Sequence, residues 1–147
     1  MKFLSPNEDH YTSAYDLAMI GRAFFANEAL CKMTMTHMLH ILPSERQPED
    51  IMEVNKMELI PGAKYAYPYL VGCKTGYTDV ARSTLVSCAE KDGMKLICVV
   101  MKDENPNYYE DTITLFDYGF SNFQRVNISQ TETKYNIENA GSFYSGN

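Results

Sequence analysis

The amino-acid sequence predicts an α+β fold, an antiparallel sheet packed with helices. Three observations carry this. Leu17, Ile20, Gly21 and Phe24 recur at i, i+3, i+4 and i+7, the apolar face of a helix. Residues 83–89 and 95–101 read as two strands joined by Lys91-Asp92-Gly93, where glycine can take the positive φ of a tight turn. Tyr109, Ile113, Phe116 and Phe120 then set a second helical stripe after the strands. A length of 147 residues suits one domain with a real core.

The elements follow in chain order. Ser13 with Asp16 three residues on forms a capping-box pattern at the start of the first helix. Asn27 can end that helix and cap a short second one over residues 28–33. Between residues 34 and 68 the signals are mixed. Pro43, Pro48, Pro61 and Pro68 interrupt the segment, which predicts turns and short extended pieces. Residues 69–75 read as a strand. Residues 96–101 are apolar on both parities, which predicts a central strand covered on both faces. Asn107 with Glu110 suggests a second capping box, and Gly119 a C-terminal stop for the last helix. Short strand candidates lie at 126–128 and 134–137, and the polar tail 139–147 is expected to be loose.

Composition narrows the function. Apolar residues make up 45% and charged residues 22%, an ordinary globular balance that argues against wholesale disorder. Thirteen basic against nineteen acidic residues leave a charge of −6, which argues against nucleic acid as a partner. No stretch approaches the roughly 20 apolar residues of a membrane helix. Met1-Lys2-Phe3-Leu4 runs into Ser5-Pro6 without the apolar core of an export signal. Cys31, Cys73, Cys88 and Cys98 form no C-x-x-C pair and read as small buried thiols. His37 and His40 form an H-x-x-H without the internal glutamate of a zinc-protease helix, so no metal is expected. No cofactor is implied.

The chemistry concentrates at Lys74-Thr75-Gly76, at the end of a predicted strand. A strand edge can pair its backbone with an extended peptide. Thr75 offers a hydroxyl to a carboxylate and Lys74 a positive charge. Gly76 lets a ligand approach the backbone closely.

The setting of this tripeptide resembles a known family. Residues 10–20, His10-Tyr11-Thr12-Ser13-Ala14-Tyr15-Asp16-Leu17-Ala18-Met19-Ile20, look like a helix start in the serine D-alanyl-D-alanine carboxypeptidases, the low-molecular-mass penicillin-binding proteins. Val71-Gly72-Cys73-Lys74-Thr75-Gly76-Tyr77-Thr78-Asp79 resembles their third motif. Residues 85–89 and 94–101 resemble the strands after it, and Leu115-Phe116-Asp117-Tyr118-Gly119-Phe120 the end of their last domain helix. The likeness runs in family order from about residue 10 to 123.

The resemblance implies a β-lactamase/transpeptidase-like fold and serine acyl transfer on peptidoglycan stem peptides, with β-lactams as further ligands. Lys74, Thr75, Gly76 and Tyr77 are then the substrate-binding edge, and the backbone N–H of Tyr77 one oxyanion donor. The implied place of work is the extracytoplasmic cell envelope.

The family motifs are S-x-x-K, S-x-N and K-T-G in that order. Three residues after serines 5, 13, 44, 83, 87, 121, 129 and 142 come Glu8, Asp16, Gln47, Val86, Glu90, Gln124, Glu132 and Ser145. No S-x-x-K exists, so no catalytic residue is assigned. Ser5-Pro6-Asn7 falls where the family has an F-x-N-P segment, and Ser145-Gly146-Asn147 follows K-T-G, the wrong order. Tyr108 stands near a point where family members often carry a basic residue that holds the substrate carboxylate, and Arg82 is an unusual basic neighbour. Residues 1–125 are therefore expected to be the C-terminal part of a catalytic domain, and 126–147 a junction towards a further β domain. Two other readings stay open. One is a non-catalytic module that binds peptides; the other is a fragment that associates with itself.

Overall fold

The structure is a computed structural model, and it describes residues 10–126. Ser5-Pro6-Asn7 at one end, and at the other the strand candidate at 134–137, the tail, Ser145-Gly146-Asn147 and nearly all of the expected junction, lie outside the described residues. So does most of the candidate at 126–128.

The element order is α1 (Ala14–Phe24), α2 (Glu28–Met35), β1 (Met38–Ile41), β2 (Ile51–Val54), β3 (Leu70–Thr78), β4 (Arg82–Lys91), β5 (Met94–Asp103) and α3 (Asn107–Asn122). Both early caps form as the sequence predicts. The Ser13 hydroxyl accepts from the Asp16 N–H, and Asn27 Oδ1 accepts from the N–H groups of Ala29 and Leu30. Residue 36 is extended, so α2 ends at Met35, two residues past the expected limit.

The main sheet is antiparallel with order β3-β4-β5. Its central strand is β4. Among the described residues the apolar run in β5 pairs only with β4, so within them it lies at an edge of the sheet where a central position was expected. Its apolar character on both parities has another cause. Helix α1 packs on one face of β5 and helix α3 on the other. The β4–β5 turn forms as expected, with both Asp92 and Gly93 at positive φ, the pattern that suits a two-residue hairpin.

Each face of the sheet has its own core. On the α3 face, Cys73, Leu85, Ala89, Cys98 and Val100 pack with Tyr108, Tyr109 and Phe116. Met57, Leu59, Ile60 and Tyr67 join them from the irregular segment before β3. On the other face Cys88 packs with Phe25 and Cys31 of the α1–α2 region. All four cysteines are buried and unbridged, as the sequence predicts.

Two helix signals at α3 did not survive. Asn107 is already helical, Pro106 holds the cap position, and no side chain caps the helix. Gly119 does not stop α3, which continues to Asn122. A Cβ on Gly119 would stand 2.5 Å from Leu96 Cδ1, so this glycine lets the helix lie close to β5. The mixed segment 34–68 does hold short extended pieces. β1 and β2 pair as an antiparallel hairpin, with a bridge between Ser44 and Gln47 inside their connection.

Candidate functional site

Strand β3 is an edge strand, paired only with β4 among the described residues. Its register sets Lys74 opposite Val86, Thr75 opposite Leu85, Gly76 opposite Thr84 and Tyr77 opposite Ser83. Successive side chains alternate between faces. Thr75 and Tyr77 therefore share the α3 face with Leu85 and Ser83. Lys74 falls on the α1 face with Val86.

An open cleft of about 580 Å³ lies at the end of this strand pair. It is lined by Thr75, Gly76 and Tyr77 of β3, by Arg82 and Ser83 of β4, and by Asp103, Glu104, Asn105 and Tyr108 from the end of β5 to the start of α3. Three of the four residues singled out in the sequence thus come together. The space beside Gly76 is empty, with nothing within 4 Å of where a Cβ would stand. Lys74 does not line the cleft. It borders a smaller apolar cavity with Leu17, Ile20, Phe24 and Val86, and its Nζ donates to the carbonyl of Thr75.

The backbone around the cleft is distorted in two places. Arg82 and Lys102 both have φ of 56°, a left-handed conformation that favours glycine. Between the pairs Ser83↔Asp103 and Leu85↔Val100 the register shifts by one residue. β4 spends one residue there and β5 two, a bulge that re-aims the end of β5 towards the cleft. Asp103 Oδ1 accepts from the N–H of Glu104 at 2.7 Å, while Oδ2 is buried without a partner among the described residues. The Tyr108 hydroxyl is held well above its ordinary pKa, first by burial and then by hydrogen bonding to Tyr109. It therefore stays a neutral donor across the physiological range.

Sequence reading missed Ser83, Asp103, Glu104 and Asn105. They come from strand ends and a connection that carry no motif. The usable signal was register: an antiparallel hairpin brings residue 103 beside residue 83, and residue 83 beside 77. His37 and His40 gain no third ligand, since among the described residues no three His, Cys, Asp or Glu side chains gather. His40 pairs instead with Asp50.

The antiparallel sheet between helices, with a K-T-G strand along one edge, defines the transpeptidase-like class of fold. A solved Streptomyces DD-transpeptidase shares this fold with a TM-score of 0.68 and 22% identity, over 78% of this chain and 44% of that one. The sequence model of D-alanyl-D-alanine carboxypeptidase matches residues 4–105, and the chain belongs to that family. It is 36% identical over 123 residues to the D-alanyl-D-alanine carboxypeptidase DacB2 of Mycobacterium tuberculosis, and 33% identical over 118 to DacF of Bacillus subtilis. Those matches take in 79% and 80% of this chain but 39% and 29% of the relatives. The crystal structure of a Mycobacterium tuberculosis D-alanyl-D-alanine carboxypeptidase matches with a TM-score of 0.64 at 32% identity, over 78% of this chain and 42% of that one. No helix among the described residues is long and apolar enough to cross a membrane.

Proposed function

We infer that this chain is the substrate-strand part of a cell-envelope D-alanyl-D-alanine carboxypeptidase, with residues 1–125 contributing to the catalytic domain. It takes D-Ala-D-Ala-ended stem peptides, or β-lactams, along the outer edge of β3. One observation carries the reading. Thr75, Gly76 and Tyr77 line an open cleft on an edge strand, with free space beside Gly76. An extended peptide can pair with such an edge, and the Thr75 hydroxyl can donate to its carboxylate. The Tyr77 N–H is the proposed oxyanion donor. Lys74 contributes its charge from the opposite face of the strand.

Without S-x-x-K the chain has no activated serine, and alone it binds without acyl transfer. Titration with an acyl-D-Ala-D-Ala peptide tests the binding. Amide shifts should concentrate at residues 74–78, and their absence would remove the reading. A labelled penicillin should leave the intact mass unchanged, and an added acyl mass on a serine would sink the inactivity.

A second reading, self-association, has its own support. Ile20 and Met19 are exposed on α1 beside an apolar cavity, and β5 has one unpaired edge among the described residues. Light scattering that finds a clean monomer at high concentration would end it.

A further inference from the structure

We propose that the groove between α1 and the β4–β5 hairpin binds a single-chain amphiphile with an anionic head, a free fatty acid. The groove is open and holds about 620 Å³. Ala18, Met19 and Phe25 line it from the α1 region, and Cys88 and Ile97 from the strands. The helix lies closest to the sheet at Gly21, where a Cβ would meet Val86 at 3.0 Å and Ile97 at 3.3 Å. Three residues earlier on α1, the short side chain of Ala18 leaves the space beside Ile97 and Cys88 unfilled. This site is independent of the strand-edge reading, since it shares no residue with the Thr75 cleft.

Charge selects the occupant. The whole chain carries −6, yet the two charged residues that line this groove among the described ones, Arg22 and Lys95, are both cations. Arg22 makes no ion pair among the described residues, so its guanidinium fork is available to a carboxylate. Lys95 meets Glu90 at 3.4 Å, and both side chains are exposed, so that pair holds it weakly. The apolar lining suits a hydrocarbon chain, whose removal from water favours binding. Met19 is unbranched and 37% exposed, a side chain able to mould around such a chain. The volume falls in the range of small-molecule sites. A membrane surface fits less well, because a net charge of −6 opposes adsorption to an anionic bilayer.

The test compares decanoate and decanol on the full chain, both kept below the concentration at which they aggregate. Amide shifts should concentrate at residues 18–26, 88 and 95–97 and should saturate. Decanoate should bind about tenfold tighter than decanol, as expected for a charge-assisted contact. Arg22→Gln combined with Lys95→Gln should bring that ratio to about one through loss of decanoate binding alone. Both side chains are exposed, so the thermal midpoint should hold. Ala18→Leu keeps a strong helix former and fills the groove, so it should abolish binding of both ligands with no loss of thermal midpoint. Equal affinity for the two ligands, an unchanged ratio in the double variant, or full binding in Ala18→Leu overturns the proposal. Binding to phosphatidylglycerol vesicles without binding of free decanoate overturns it in favour of a membrane surface.

Discussion

The two faces of the β3-β4-β5 sheet are closed to different degrees. On the α3 face, Phe116 is 1% exposed, and Leu59, Leu85 and Ala89 are fully buried. Aromatic rings continue the packing outward: Tyr67 stacks on Phe116 with centroids 5.3 Å apart, and Tyr65 on Tyr109 at 5.2 Å. On the α1 face only Phe25, Cys31 and Cys88 are buried together, and Ile20 remains 62% exposed. One face is a finished core. The other is a thin layer with apolar surface left open. The candidate cleft belongs to the finished side, where Tyr108 of α3 and Cys73, two residues before Thr75 on β3, belong to the same packed cluster.

The largest test of this contrast uses the same substitution on both faces. Phe116→Ala should cost about 4 kcal/mol, near the upper range for a buried aromatic, because packed neighbours cannot collapse into the space. Phe25→Ala should cost about 3 kcal/mol or less, since its cavity opens towards solvent under α1. Urea midpoints measure both. An equal or greater loss for Phe25→Ala would abolish the contrast.

A smaller effect comes from pH. Burial on the α3 face pushes the Cys73 thiol up to about 12 from 9.0, opposed weakly by Lys74. The unfolded thiol ionises first as pH rises past 9, so the unfolded state gains stability there. This contribution is fully present below pH 9 and is lost as pH rises towards 12. At pH 10 the loss from this one group approaches about 1.4 kcal/mol. The Cys88 and Cys98 thiols, one on each face, reach only about 11, so their windows are narrower. Unfolding at pH 8 and pH 10 should show a smaller alkaline loss in Cys73→Ala than in wild type. An identical loss would contradict the burial argument.

Helical glycines give a finer comparison, because each face has one. A Cβ on Gly119 meets Leu96 Cδ1 at 2.5 Å, whereas on Gly21 the nearest atom is Val86 Cγ1 at 3.0 Å. Alanine gains about 1 kcal/mol in helix propensity at either site. At Gly119 the Leu96 side chain must leave its position to admit the methyl, and that rearrangement offsets the gain, so Gly119→Ala should be the less stable of the two variants. At Gly21 the two effects roughly cancel. Thermal midpoints of the two variants decide it; a more stable Gly119→Ala would mean that Leu96 moves freely.

The regular half of the molecule was legible in the sequence because its signals were local. Ser13 and Asn27 announced their caps, and Asp92-Gly93 announced the hairpin. The K-T-G strand stood out by its neighbours. What was hidden depends on contacts between distant residues. Gly119 looks like a helix stop until Leu96 is set beside it. Leu59 and Ile60 sit in an irregular segment without periodicity, yet they are among the most deeply buried residues. The run in β5 is apolar on both parities because two helices cover it, and apolar pattern does not report how many strands pair with it. At the cleft, Thr75, Gly76 and Tyr77 belonged to one motif, while Asp103 and Tyr108 arrive through strand register and the start of α3.

The smallest effect concerns a flaw in the finished face. Ser87 in β4 is fully buried between Leu85 and Ala89 on that face, and its hydroxyl has no hydrogen-bond partner among the described residues. A buried hydroxyl without a partner keeps its desolvation cost and returns nothing. Ser87→Ala removes that group with little loss of volume, so it should raise stability by about 0.5–1 kcal/mol. The equivalent change at exposed Ser13, which caps α1, should lower stability by about 1 kcal/mol. Opposite signs from one kind of substitution would show that the α3 face is closed tightly enough to exclude water from Ser87. A loss of stability at Ser87 would instead mean that water reaches this hydroxyl, and that the face is less complete than its packing indicates.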